Sequence, residues 1–246
     1  MGVITGKGKE IKKHIKPKDD GEKLDYKKIK INKDLKKEGD LVRVRVLSDE
    51  DYTTYESHGS FTNGIYTTPC TNPRDTSGNP LNKDGRCLYC EAVEHGFEEG
   101  ELKSKTRFLF AFYDIDMEMV RVLEVSYNQG ISLIGDIDTY AEDIDEYAFE
   151  LKRKGTGTKT AYTLQPILKL RGDDKKRFDS AEGQKVDEDL FEKVLYVKNL
   201  NQQAVDLENA GFDVEKELGF EIKDETKQGE EIEKDYGKDI DPEKVF

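Results

Sequence analysis

Cysteine and histidine are scarce in this chain, and their spacing is its most chemically specific feature. The 246 residues contain three cysteines, Cys70, Cys87 and Cys90, and three histidines, His14, His58 and His95. Cys87-Leu88-Tyr89-Cys90 is a Cys-x2-Cys knuckle, Cys70 precedes it by 17 positions, and His58 lies 12 positions before Cys70. A structural zinc takes four nitrogen or sulfur ligands, often two close together and two from elsewhere. His58, Cys70, Cys87 and Cys90 meet that requirement, and one structural Zn2+ is expected. His95 is the competing fourth ligand, but a five-residue step along a helix swings it off the face of Cys90. Two blander readings are three reduced, unliganded thiols and a redox Cys-x2-Cys. The redox reading calls for a βαβ setting that the pattern lacks.

The elements that must position these residues read as mainly β. Asp40–Leu47 alternates, with Val42, Val44 and Val46 on one face and Arg43 and Arg45 on the other, the mark of a half-buried strand. Residues 52–70 form a hairpin around Asn63-Gly64, a dipeptide suited to positive φ. Residues 71–85 are loop, and residues 87–96 a short helix. Thr106–Asp114 and Met119–Ser126 are strands joined by a short turn. Tyr127–Tyr140 is a helix on the spacing of Ile131, Ile134 and Ile137. Tyr147–Lys154 and Lys159–Leu168 are two more strands around Gly155-Thr156-Gly157-Thr158. Leu190, Val194, Val197, Leu200, Ala204 and Leu207 continue a helical pattern with one break. Without the insert at 52–100, strand–strand–strand–helix–strand–strand is the order of a five-stranded OB-fold barrel. The expected divisions are a basic arm over 1–38, the barrel with its insert over 39–178, a helical extension over 179–212 and an acidic, disordered tail over 213–246.

The formal net charge is −13, which by itself argues against a polyanionic partner. It is segregated, however. Residues 1–46 carry 15 basic and 8 acidic residues, 47–102 carry 3 and 11, 103–178 carry 13 of each, and 179–246 carry 9 and 21. The acid is concentrated in the insert and the tail, leaving a basic surplus on the arm and barrel. No run approaches the 18 apolar residues of a membrane span, and the basic N-terminus lacks the apolar stretch of a secretory signal. With few cysteines, a reducing cytoplasmic setting is expected.

Single-stranded nucleic acid is bound by a positive groove with aromatic faces for stacking. The candidates are Arg43, Arg45, Arg107, Arg121, Lys152, Arg153, Lys154 and Lys159 for phosphates, and Tyr52, Tyr66 and Tyr162 for bases. Phe61 also belongs to the aromatic set, whereas the Phe108/Phe110/Phe112 stripe is read as core. The tail ends in Asp239, Asp241 and Phe246, an acidic stretch closed by an aromatic carboxy-terminus that suits competition with phosphates and docking to a partner protein. Asp114, Asp116 and Glu118 could mimic a nuclease metal triplet, but a hairpin turn explains them more simply. No enzymatic constellation stands out.

At this point the chain resembles the phage single-stranded DNA-binding proteins of the T-even type. In that family a basic arm, an OB-fold, a zinc subdomain between early strands and an acidic tail occur in this order. His58, Cys70, Cys87 and Cys90 match its zinc motif in type and order, and Ser57-His58-Gly59 before a hairpin is also similar. The Cys70–Cys87 loop is longer here, and the arm, with Lys27-Lys28 and Lys36-Lys37, has no clear copy of the family's cooperativity motif. Phe246 is more similar to the tails of bacterial single-strand binders, which recruit replication proteins. The resemblance implies a non-enzymatic, largely sequence-independent binder of single-stranded DNA in replication, recombination or repair. The readings set against it are a zinc-ribbon interaction module with no groove of its own and, further off, a metal-dependent nuclease.

Overall fold

The computed structural model describes residues 26–75, 79–187 and 189–223. The expectations for most of the arm, and those for Asp239, Asp241 and Phe246, lie outside these residues. Among the described residues, seven antiparallel strands form one sheet that does not close: β1 (Leu41–Arg45), β2 (Tyr52–Ser60), β3 (Ile65–Pro69), β4 (Lys105–Asp114), β5 (Met119–Ser126), β6 (Ala148–Lys154) and β7 (Ala161–Ile167). The helices are α1 (Tyr26–Ile29), α2 (Leu88–Glu94), α3 (Tyr127–Thr139), α4 (Gly172–Asp179), α5 (Leu190–Lys193), α6 (Leu200–Asn209) and α7 (Val214–Leu218). None of the described helices is long and apolar enough to cross a membrane.

The sheet is built around β4. It pairs with β5 along its length, Arg107 opposite Ser126 through Asp114 opposite Met119. It also pairs with β2 through residues 105–110 and with β1 at Tyr113 and Asp114. The β2–β3 hairpin therefore belongs to the main sheet rather than to a detached insert. From β1 the order continues to β6 and β7.

The open seam lies between β5 and β7. Pro166 sits in β7 opposite Phe149, and proline, with no N–H, suits an edge strand. The groups that a β5–β7 ladder would pair find other partners. Asn32 donates from Nδ2 to the Glu124 carbonyl at 2.7 Å and accepts the Glu124 N–H at 3.0 Å. From α3, Gln129 donates to the Thr160 carbonyl at 2.8 Å, and Asp136 accepts the Leu164 N–H at 2.9 Å. Backbone groups removed from water need such partners. The closely placed α3 leaves no room at Gly130, where an added Cβ would meet Phe108 at 2.3 Å.

The alternation of β4 buries Phe108, Phe110 and Phe112 with Val42, Val44, Leu123, Leu151 and, from α3, Leu133 and Ile137. The stripe is core, as its period implies. The opposite face is covered as well. Leu109, Tyr55 and Val122 lie under Val194, Leu195 and the side of α5, while Tyr113 and Ala148 lie under Phe178 of α4. This corrects the expectation of a solvent-facing basic surface on β1. The one break expected in the helical pattern over 189–209 separates α5 from α6. A further correction concerns the tail: residues 213–223 are part of the fold, with Val214 of α7 buried.

Candidate metal centre and the cleft beside it

His58 is on β2, directly opposite Thr68 of β3, and Cys70 follows the end of β3. Cys87 is the N-cap of α2, and Cys90 lies in its first turn. The Cys-x2-Cys knuckle is thus a loop-to-helix corner, which turns both sulfurs to one side. The hairpin carries the other two ligand atoms to the same point. The four ligand atoms lie within 4.8 Å of one another. His58 Nε2 is 3.5 Å from Cys87 Sγ and 3.4 Å from Cys90 Sγ, and Cys70 Sγ is 3.6 Å from Cys90 Sγ. Metal bonds of ordinary zinc length at a tetrahedral angle place sulfurs roughly 3.8 Å apart, and nitrogen roughly 3.6 Å from sulfur. The observed edges fit such a site.

The surroundings also fit. His58 Nδ1 is 2.7 Å from the Leu102 carbonyl. With Nε2 facing the sulfurs, Nδ1 is the protonated nitrogen and donates to that carbonyl, as the outer nitrogen of a metal-bound imidazole does. Burial opposes a charge on His58, but its hydrogen bonds to Cys87 and Cys90 prevail and raise its pKa to about 10. Hydrogen bonds from Cys70 and Cys90 hold the Cys87 thiol far below its usual range, while Cys70, in contact with Cys87, is driven up. A cation held by neutral imidazole and thiolates takes the place of those protons. This buried group can hold a metal ion. His95, the alternative ligand, lies outside it, half exposed and 3.8 Å from Glu217.

The insert has a core of its own beyond any metal. Leu88, Tyr89 and Ala92 of α2 pack with Ile65, Leu102, Ala204, Leu207, Phe212 and Val214. Fully buried Gln203 of α6 accepts the Leu88 N–H at 2.9 Å and donates to Thr71 Oγ1 at 3.1 Å and to the Lys198 carbonyl at 3.0 Å. Tyr89 donates its hydroxyl to Asp206, which also holds Lys198 at 2.8 Å. Helices α6 and α7 thus hold this region together with whatever ion the His/Cys group binds.

Beside the centre, a cleft of about 490 Å³ runs between the β2–β3 hairpin and the β6–β7 tip. Its lining includes Phe61 and Tyr66 from the hairpin, Lys105 and Arg107 from β4, and Thr158 and Tyr162 from the tip and β7. Phe61 and Tyr66 are each 44% exposed. Phe61 starts a four-residue turn closed by a hydrogen bond from the Gly64 N–H to the Phe61 carbonyl, with Gly64 at φ 71°. The Glu101 carboxylate pins this tip by accepting from Ser60 Oγ at 2.8 Å and Thr62 Oγ1 at 2.9 Å. At the floor, Glu124 is held by Lys30, Arg107 and the Tyr55 hydroxyl at 2.9, 2.9 and 2.7 Å.

Of the nominated nucleic-acid residues, Tyr66, Arg107 and Tyr162 line this cleft, with Tyr162 largely buried. Lys154 and Lys159 are exposed on its tip side, and Lys152 is half buried. Three arginines are internal instead. Arg121 is 1% exposed, bound to Asp114 at 2.6 Å, to Asp34, and to the carbonyls of Lys28 and Lys30. Arg45 lies over the Phe178 ring at 4.3 Å and donates to the Phe178 carbonyl. Arg153 donates to the Leu35 carbonyl and Thr160 Oγ1, both at 2.9 Å. Arg43 is engaged by Asp116 and, at 2.7 Å, by Asp174, while Tyr52 packs on Phe110 at 5.3 Å. Lys105 and Phe61 were not singled out as contacts. An aromatic opening the turn that holds Asn63-Gly64, where core packing does not reach, was the available signal for Phe61.

No protein-family model matches the chain, and no curated protein matches it.

Proposed function

We propose that this chain binds single-stranded DNA without marked sequence preference, as the T-even type phage proteins it resembles do. The observation that carries the reading is the cleft, with two exposed aromatic rings on one side and Lys105 and Arg107 at its base. Stacking faces beside positive charge are what a base-sequence-tolerant single-strand site needs. We further propose that the ion of the buried His58/Cys70/Cys87/Cys90 group is Zn2+. One nitrogen and three sulfurs suit that ion, and a full set of four protein ligands suits a structural role. The centre holds the hairpin that forms one wall of the cleft.

The strand pairings favour an OB-type barrel for β1 and β4–β7. Pairs β1–β4, β4–β5, β1–β6 and β6–β7 are present. Only β5–β7 is replaced, by Asn32 and α3, and OB-folds are partly open barrels. The cleft lies between the inserted hairpin and the loop joining the last two strands of that barrel.

The test is a titration of oligo-dT and of duplex DNA at two salt concentrations. Binding to oligo-dT that exceeds binding to duplex and weakens steeply with salt is expected. An absence of oligo-dT binding at low salt would sink the proposal. Salt-independent capture of a protein partner, with no affinity for DNA, would favour the zinc-ribbon module instead.

A further inference from the structure

The two walls of the cleft differ in chemistry, and the difference orients a bound strand. The hairpin wall presents Gly59, Phe61, Ile65, Tyr66 and Thr67, and apart from the candidate ligand His58 it contributes no ionisable group but the Tyr66 phenol. The opposite wall is the β6–β7 tip with Asn32, and the chain after Asn32 adjoins that tip beyond the cleft lining. These two segments are fastened to each other. Arg153 binds both Leu35 and Thr160, and the Gly39 N–H donates to the Arg153 carbonyl at 3.0 Å. Their surface carries Lys33, Lys37, Lys154 and Lys159, the last three exposed. Among the nearby acids, Asp34 is taken by Arg121, which leaves Glu38 and Asp40, the latter accepting the Lys37 N–H, as local counter-charges. On the floor, Glu124 engages both Lys30 and Arg107, so their charges are less available there to a phosphate.

We infer that a single strand lies with its bases against Phe61 and Tyr66 and its phosphates along the rim formed by Lys37, Lys154 and Lys159. This rests on the single-strand reading above and deepens it. It assigns base contact to the metal-held hairpin and phosphate contact to the opposite wall. It also adds Lys37, in the loop leading into β1, to the site.

The two contact types have different signatures. A phosphate contact contributes about 0.7 to the slope of log affinity against log salt for single strands. A stacked ring contributes affinity that the salt slope does not report. Oligo-dT anisotropy titrations over a range of salt would compare the full chain with Lys37→Gln/Lys154→Gln/Lys159→Gln and with Phe61→Ala/Tyr66→Ala. Metal content and thermal unfolding would verify that each variant is folded. The lysine variant is expected to flatten the slope by about 2. The aromatic variant is expected to weaken binding roughly ten-fold or more at every salt concentration, with its slope kept. If the wild type binds and the lysine variant keeps its full slope, or the aromatic variant keeps its affinity, the wall assignment is overturned. If the wild type binds no oligo-dT, the single-strand reading itself falls, and the wall assignment with it.

Discussion

At the scale of single residues, the same side-chain type does opposite work depending on what surrounds it. His58 is held at both ring nitrogens, by Leu102 on one side and the cysteine sulfurs on the other, while His95 faces solvent beside Glu217. The proposed zinc should therefore be retained at one per chain in the wild type and lost from Cys87→Ser. Retention of a full equivalent in that variant, measured by metal analysis after gel filtration, would contradict the ligand set. His95→Ala should leave the stoichiometry unchanged. Arg121 illustrates the opposite fate of a basic residue. Its guanidinium joins Asp114, Asp34 and two carbonyls of the segment before β1, so its charge fastens that segment to β5. Arg121→Met leaves Asp114 buried without a counter-charge. Removing one partner of a buried pair costs about 3–5 kcal/mol. Urea denaturation should show a loss of that size, with the metal content unaltered.

At the scale of elements, the stability of the region around the His/Cys group depends on α6 as well as on any ion it holds. Gln203 caps the start of α2 through the Leu88 N–H and anchors Thr71, next to Cys70. Gln203→Ala strands a buried donor, which costs about 1–3 kcal/mol. It should lower the unfolding midpoint and speed transfer of the metal to a competing chelator. An unchanged chelation rate would separate α6 from the centre. Between β4, β5 and the N-terminal segment, Glu124 provides a pH dependence. Burial pushes its carboxyl up, but Lys30 and Arg107 outweigh that and hold it well below the usual carboxylate range. A carboxylate with a depressed folded-state pKa stabilises the protein above its unfolded value, near 4.3, and that contribution is lost as pH falls through the folded value. Urea midpoints measured from pH 6 downward should fall below about pH 4. The fall should be shallower for Glu124→Gln, which has no proton to take up at that site. Parallel curves for the two proteins would assign the acid sensitivity elsewhere.

At the scale of the whole molecule, the C-terminal third clamps the rest together. Helices α4 and α5 cover the outer face of the sheet, while α6 and α7 complete the core behind the cysteines. Chelation of the proposed metal should therefore loosen the hairpin and α2 while the sheet persists. Hydrogen exchange should rise at residues 58–70 and 87–94, with β4 and β5 staying protected, and global unfolding on chelation would refute this division. Most strands were legible in the sequence because period-2 alternation and turn chemistry are local signals, as in Met119–Ser126. So was the grouping of His58, Cys70, Cys87 and Cys90, since a Cys-x2-Cys corner and a hairpin around Asn63-Gly64 are both local signals. The role of each arginine was not legible. In the sequence Arg43, Arg45, Arg107, Arg121 and Arg153 are all charged residues on alternating strands. For Arg43 and Arg45 the deciding partners, Asp174 and Phe178, lie 131 and 133 positions away, and Arg121 and Arg153 reach the Lys30 and Leu35 carbonyls 91 and 118 positions away. The cleft is likewise a relation between a hairpin at 60–66 and a tip at 157–160. The sequence alone determined which residues could ligate a metal and which stretches would be strands. Tertiary structure decided which charges remained available, because burial by distant elements converts a surface cation into an internal one.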